Sequence, residues 1–139
     1  MKLLMIYCTR FGCQTSMRTL DNVPEIDKTE TFENCLVGFI DVEEKDEENA
    51  AYIETKLIKN LKWAARKNET ERIILHSFTH LSDSKASPEI TKQIFDNAEE
   101  RLKKSGYEAN QTAFGYFMNL DIQAPGSPIT RLFKDIQND

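Results

Sequence analysis

The chain has 139 residues, enough for one domain that buries roughly 68–70% of its surface on folding. Hydrophobic residues at 40% and charged residues at 29% are the balance of an ordinary globular protein. A net charge of −5 and a pI near 5.1 argue against a broad nucleic-acid-binding face, leaving room for a small contact with the end of an RNA.

"KLLMIYC" (2–8) is short and apolar at consecutive positions, which predicts a strand covered on both faces. Residues 9–33 are polar and mixed, punctuated by Gly12 and Pro24, and predict an edge strand near 11–19 followed by a loop. "CLVGFIDV" (35–42) is the second central strand. An acidic stretch, "EEKDEEN" (43–49), then leads into a helix whose buried stripe is Ile53, Leu57, Leu61 and Ala64. Acidic residues near its start and basic ones towards its end match the helix dipole, so its charges read as a solvated face. "RIILHSF" (72–78) is a third central strand. The next helix carries its own punctuation: Ser87 to cap, Pro88 at the first position, and Gly106 for the left-handed exit. Ile90, Ile94, Ala98 and Leu102 form its buried stripe.

Two late strands are expected around 107–112 and 114–122, forming a hairpin that carries aromatic residues. "APGSP" (124–128) makes a turn, and Ser127–Pro128 repeats the cap signature, predicting a C-terminal helix with Ile129, Leu132, Phe133 and Ile136. The order predicts a single α/β domain with a mixed β-sheet, two long helices and a C-terminal helix.

The three cysteines, Cys8, Cys13 and Cys35, are odd in number and lack the paired spacing of zinc motifs, which predicts reduced intracellular thiols. Cys8 ends the first predicted strand, but thiolate catalysis needs a base or cation beside it that the sequence does not place, so it reads as a buried structural thiol rather than a nucleophile. The apolar run that opens the chain is too short for a signal peptide or a membrane span, so a cytoplasmic protein with no membrane partner is expected.

The two histidines, His76 and His80, lie four apart but not on a helix. Along extended backbone that separation is about 13 Å, and no spaced acid or cysteine completes a ligand set, so no metal or cofactor is expected. His76 reads as a structural residue at the end of a central strand. His80 follows in the loop where α/β sheets usually bind ligands, and "THLSD" offers backbone N–H groups, an imidazole and small hydroxyls there. On residues alone His80 is either a site residue or a polar loop residue.

Four stretches together resemble a known family: "KLLMIYC", "CLVGFIDVEEKDEEN", "FTHLSD" and "AFGYFMNLDIQAPGSPITRL". They resemble the editing domain at the amino terminus of archaeal threonyl-tRNA synthetases, over nearly the whole chain and in the same order. The resemblance implies a D-aminoacyl-tRNA deacylase-like fold and a homodimer. It also implies hydrolysis of the ester of serine wrongly attached to threonine tRNA, by water, with help from the 2′-hydroxyl of the terminal adenosine. Serine and threonine differ by one methyl group, about 1–3 kcal/mol in a binding pocket, which is why a second sieve is useful.

Residue by residue, the resemblance places His80 beside the terminal adenosine, as a candidate catalytic residue. It places Val42, Thr79, Leu81, Phe114, Gly115, Tyr116 and Phe117 around the aminoacyl-adenosine. This sequence departs from the family at Met118, where the family has a lysine, and at Arg131, where it has a glutamate. Tyr7, Cys8 and Thr9 stand where the family has His-Ser-Asp. The double exchange suggests Arg131 as a replacement cation for the one lost at Met118. Two functions stay open. One is a stand-alone deacylase acting in trans on the tRNA acceptor end; the other is a catalytically degraded paralogue that binds aminoacyl-adenosine, or a threonyl-tRNA synthetase lacking its own editing domain, without hydrolysis. A chain of this length is expected to hold no aminoacylation domain, so it would not charge tRNA itself.

Overall fold

In the computed structural model, which describes residues 1–137, six strands and two helices form one mixed sheet with helices against it. The strands are β1 (Lys2–Arg18), β2 (Thr29–Asp41), β3 (Arg72–Ser77), β4 (Glu108–Gln111), β5 (Tyr116–Gln123) and β6 (Arg131–Asp135). The helices are α1 (Ala50–Lys67) and α2 (Pro88–Lys104), and a short 3-10 turn covers Glu44–Asn49. The sheet order is β4-β3-β2-β1-β5, with β6 also on β1. β2, β3 and β4 run parallel, as crossovers through α1 and α2 require, while β1 is antiparallel to each of its partners.

Both helices pack as their stripes predict. Ile53, Leu57, Leu61 and Ala64 of α1 are fully buried, as are Ala98 and Leu102 of α2. They meet Leu3, Met5, Leu36 and Leu75 from one face of the sheet. Gly38 lets α1 approach, since a Cβ there would lie 2.9 Å from Leu61 Cδ2. Ser87 caps α2 by accepting a hydrogen bond from Ile90 N at 3.2 Å, and Gly106 closes it at φ 92°. The opposite face carries a smaller core of Cys8, Phe11, Cys13, Cys35, Val37, Phe39 and Ile74.

Three expectations are corrected. The first strand does not stop at residue 8 but runs on to Arg18, because β2 pairs with it along its length and β5 takes over from β6 as its other neighbour. It is a central strand whose far end is polar because that end is solvated. Its alternation changes hands near Thr9: Leu4, Ile6 and Cys8 face the smaller core, and then Phe11 and Cys13 do. Opposite that change lies Asn34 with φ 49°.

The C-terminal helix is instead a turn followed by β6, which pairs Arg131–Asp135 with Ile6–Lys2. Ser127 and Thr130 bond to each other in the turn, and Thr130 Oγ1 donates to Pro125 O at 2.8 Å, so the apparent cap serves a turn. The late strands are not a hairpin. β4 lies at one edge on β3, and β5 lies beyond β1 at the other. Four strand spacings in a flat sheet would be about 19 Å. The connection from Gln111 to Tyr116 reaches at most about 18 Å when fully extended, so the sheet must curl for these strands to be joined.

Candidate functional site

The curl encloses a cavity of about 470 Å³, within the range of small-ligand sites. It sits at the carboxyl ends of two adjacent parallel strands, the usual ligand position in an α/β sheet. β2 contributes Asp41, with Val42 just beyond it, and β3 contributes His76 and Ser77. The loop leaving β3 supplies Phe78, Thr79, His80, Lys85 and Ala86, and α2 supplies Pro88 and Thr91. The segment crossing from β4 to β5 closes the far side with Phe114 and Gly115, and the start of β5 adds Tyr116, Phe117 and Met118. Thr19, Leu20 and Leu120 complete the wall.

The loop after β3 is pinned at several points. Phe78 N donates to Ile40 O and Ala86 N to Val42 O, both at 2.9 Å. Ser82 Oγ donates to Glu43 Oε2 at 2.7 Å, and Ser84 Oγ accepts from Glu44 N at 3.0 Å. Glu43 also receives the amine of Met1 at 3.0 Å. Burial alone would raise the Glu43 carboxyl, but the Ser82 hydrogen bond and the amine's bond and charge bring it down to about 2.

On the far side, Gly115 has φ 84°, and a Cβ there would meet Val23 Cγ1 at 2.8 Å, so glycine is required. Its carbonyl accepts from Thr19 N at 2.8 Å. The Tyr116 hydroxyl donates to Pro24 O and accepts from Ile26 N, which ties the 19–28 loop to the site and leaves only the ring for a ligand.

His80 lies at the exposed rim, its ring 5.7 Å from that of Phe117 and stacked on it at 29°, with Phe78 in edge contact at 5.0 Å. Phe117 is 44% exposed, so the His80–Phe117 pair leaves aromatic surface open at the rim. His76, by contrast, is buried between Phe11 and Phe39, and its Nδ1 is 2.8 Å from Thr112 Oγ1. Burial holds it neutral, with its pKa pushed down to about 4. The two imidazoles share no ligand set, and among the described residues no group of three His, Cys, Asp or Glu side chains is placed to hold a metal ion.

The structure thus brings together Val42, Thr79, His80, Phe114, Gly115, Tyr116, Phe117 and Met118. It leaves out Leu81, which packs against the smaller core rather than lining the cavity. Arg131 is also outside: it lies exposed on β6, paired with Ile6, and its Nη2 donates to Ala124 O at 3.3 Å. It therefore does not replace a cation at Met118. Tyr7, Cys8 and Thr9 lie mid-strand away from the cavity, with Tyr7 bonded to Asn34 and Thr9 to Gln123. Cys8 is fully buried, and burial pushes its thiol up to about 11, so it is no nucleophile.

Sequence reasoning missed Asp41 and Lys85. The Asp41 carboxylate is 1% exposed, and its Oδ2 accepts from Lys85 Nζ at 3.2 Å. Burial raises the Asp41 carboxyl above its usual range, against the hydrogen bond and charge of Lys85. An aspartate inside the apolar run "LVGFIDV" was the available signal.

Comparison with known proteins agrees with this architecture. The model of the Archaea-specific editing domain of threonyl-tRNA synthetase matches residues 1–136. Threonine–tRNA ligase of Methanopyrus kandleri is 30% identical over 138 residues, and that of Thermococcus kodakarensis is 29% identical over 139. Each match covers 98% of this chain but 22% of the relative, so the chain spans about a fifth of those ligases. The solved structure of the c-Myc DNA Unwinding Element Binding Protein aligns with a TM-score of 0.68 at 13% identity, covering 99% of this chain and 100% of that one. That likeness is one of fold alone, a single α/β domain with a curled mixed sheet and two helices. The chain belongs to the family of the Archaea-specific editing domain of threonyl-tRNA synthetase.

Proposed function

We propose that the cavity binds the aminoacylated terminal adenosine of threonine tRNA and hydrolyses the ester of wrongly attached serine. The observation that carries this reading is the shared wall: the stacked His80–Phe117 pair at the rim opens onto Val42, Thr79 and Phe114–Gly115–Tyr116 in one cavity of about 470 Å³. The flat rim suits a purine, and the space beside the buried Val42 and Gly115 suits a short aminoacyl group. Water is the attacking species, and neither a metal nor another cofactor takes part. The acidic surface fits a contact confined to the acceptor end, where few phosphates need neutralising.

The same proposal extends to editing in trans, in the cytoplasm, on tRNA charged by a threonyl-tRNA synthetase without an editing domain of its own. It also includes a homodimer, supported by the apolar residues Leu120, Ile122 and Phe133 exposed on β5 and β6, with sedimentation as the check.

The test is deacylation of seryl- and threonyl-tRNA. Serine release well above background, with threonyl-tRNA spared, is expected. His80→Ala should weaken binding of a non-hydrolysable seryl-adenosine by about 5- to 150-fold, the span of one stacking contact. Met118 favours a second reading, binding without turnover, because a thioether in the wall offers no charged donor. Tight analogue binding with no release from any aminoacyl-tRNA would select it.

A further inference from the structure

Among the described residues lining the cavity, Lys85 is the one lysine or arginine. It is a surface-loop lysine by sequence, yet it is held like a built part. Nζ donates to Asp41 Oδ2 at 3.2 Å, to Ser82 O, and to Ser84 O at 3.3 Å. Its partner carboxylate is 1% exposed, and Asp41 Oδ1 has no hydrogen-bond partner among the described residues. A nearly buried carboxylate with one unsatisfied oxygen is a poor way to stabilise a fold, because desolvation offsets much of the pairing energy. Its local effect is to fix an ammonium beside the cavity before any ligand arrives. Asp41 and Lys85 also reach the same place from different elements, the end of β2 and the loop after β3.

The geometry points to Lys85 as the electrostatic catalyst of the ester hydrolysis, with Asp41 as its positioning residue. This rests on the hydrolytic reading given above. A water oxygen forms a bond to the ester carbonyl carbon, and the carbonyl π pair moves onto oxygen. That oxyanion accepts the hydrogen bond that the ammonium now gives to Ser84 O, the longest of the three contacts, and the proton stays on Nζ. The intermediate collapses by breaking the bond between the carbonyl carbon and the ribose oxygen, which takes the proton lost by the attacking water. Free amino acid and a tRNA with its hydroxyl restored are the products. An ammonium fixed beforehand beside the developing charge needs little reorganisation during the reaction.

The experiment compares serine release from seryl-tRNA by the full chain, Lys85→Met, Lys85→Arg and Asp41→Asn. It runs beside the affinity of each protein for the non-hydrolysable seryl-adenosine and its melting temperature. Lys85→Met should lower kcat by about 100-fold or more, the scale of one lost oxyanion donor, while the analogue binds within about threefold of the parent. Lys85→Arg keeps the charge and should recover part of the rate. In the Lys85→Met background, Met118→Lys brings an ammonium to the opposite wall and should raise the rate at least about tenfold. A folded Lys85→Met protein with the parent's kcat, or one whose loss follows weakened analogue binding alone, overturns the role of Lys85 and leaves the hydrolytic reading standing. A parent protein that releases no amino acid from any aminoacyl-tRNA overturns both.

Discussion

Gly115 shows how one backbone position supports the cavity. At φ 84° a side chain is strained, and the Cβ of an alanine would also press on Val23 at 2.8 Å. Gly115→Ala should therefore cost about 1–3 kcal/mol in urea unfolding and loosen the Thr19–Gly115 bond that closes the wall. An alanine variant with unchanged stability and unchanged analogue binding would show that the segment relaxes freely. Phe114, Gly115 and Tyr116 were legible in the sequence because a contiguous motif carries them. Asp41 and Lys85 were not, since they are 44 residues apart and each is unremarkable alone. Their meaning arises only when β2 and the loop after β3 end side by side. Arg131 failed for the converse reason. Its place in the site was inferred from the double exchange with Met118, and β6 carries its side chain away from the cavity.

At the level of elements, the helices were legible because each had a long stripe and its own caps. Ser87 is the clearest case: its hydroxyl accepts from Ile90 N, and Pro88 follows it. Removing that cap should cost about 1 kcal/mol. Ser87→Ala is thus expected to lower the melting temperature by about 2–8 °C, with little effect on the cavity walls formed by β2 and β5. An unchanged melting temperature would mean that water replaces the cap without loss. β6 was misread because four apolar residues spaced by three and four fit a helix as well as chance allows in so short a run. What decides it is β1, whose Lys2–Ile6 half would otherwise be an unpaired edge. In the strand only Leu132 turns partly inward, while Phe133 is 54% exposed and Ile136, just beyond the strand, is buried. The continuity of β1 was hidden likewise. Its polar half is held by neighbours distant in sequence, not by its own apolar content.

At the scale of the whole molecule, His76 and Glu43 couple stability to pH in the same direction, whereas the raised carboxyl of Asp41 acts in the opposite one. His76 stays neutral in the folded chain down to about 4, whereas an exposed histidine titrates near 6.5. Below 6.5 the unfolded chain takes up a proton that the folded one refuses. The stability present above 6.5 is therefore lost as pH falls towards 4. For this single group the loss between pH 7 and pH 5 is about 2 kcal/mol. Glu43 acts lower down. Its folded carboxyl ionises near 2 against an ordinary 4.5, so its contribution is complete above 4.5 and disappears as pH falls through 2. The chain should then lose stability in acid over two pH windows, the first governed by an imidazole packed between Phe11 and Phe39. His76→Gln isolates that window, because an amide keeps a polar partner for Thr112 but does not titrate. Urea unfolding of both proteins at pH 7 and pH 5 is the measurement. The parent should lose about 2 kcal/mol more than the glutamine variant over that interval. Equal losses in the two proteins would place the acid sensitivity elsewhere and return His76 to an ordinary packing role.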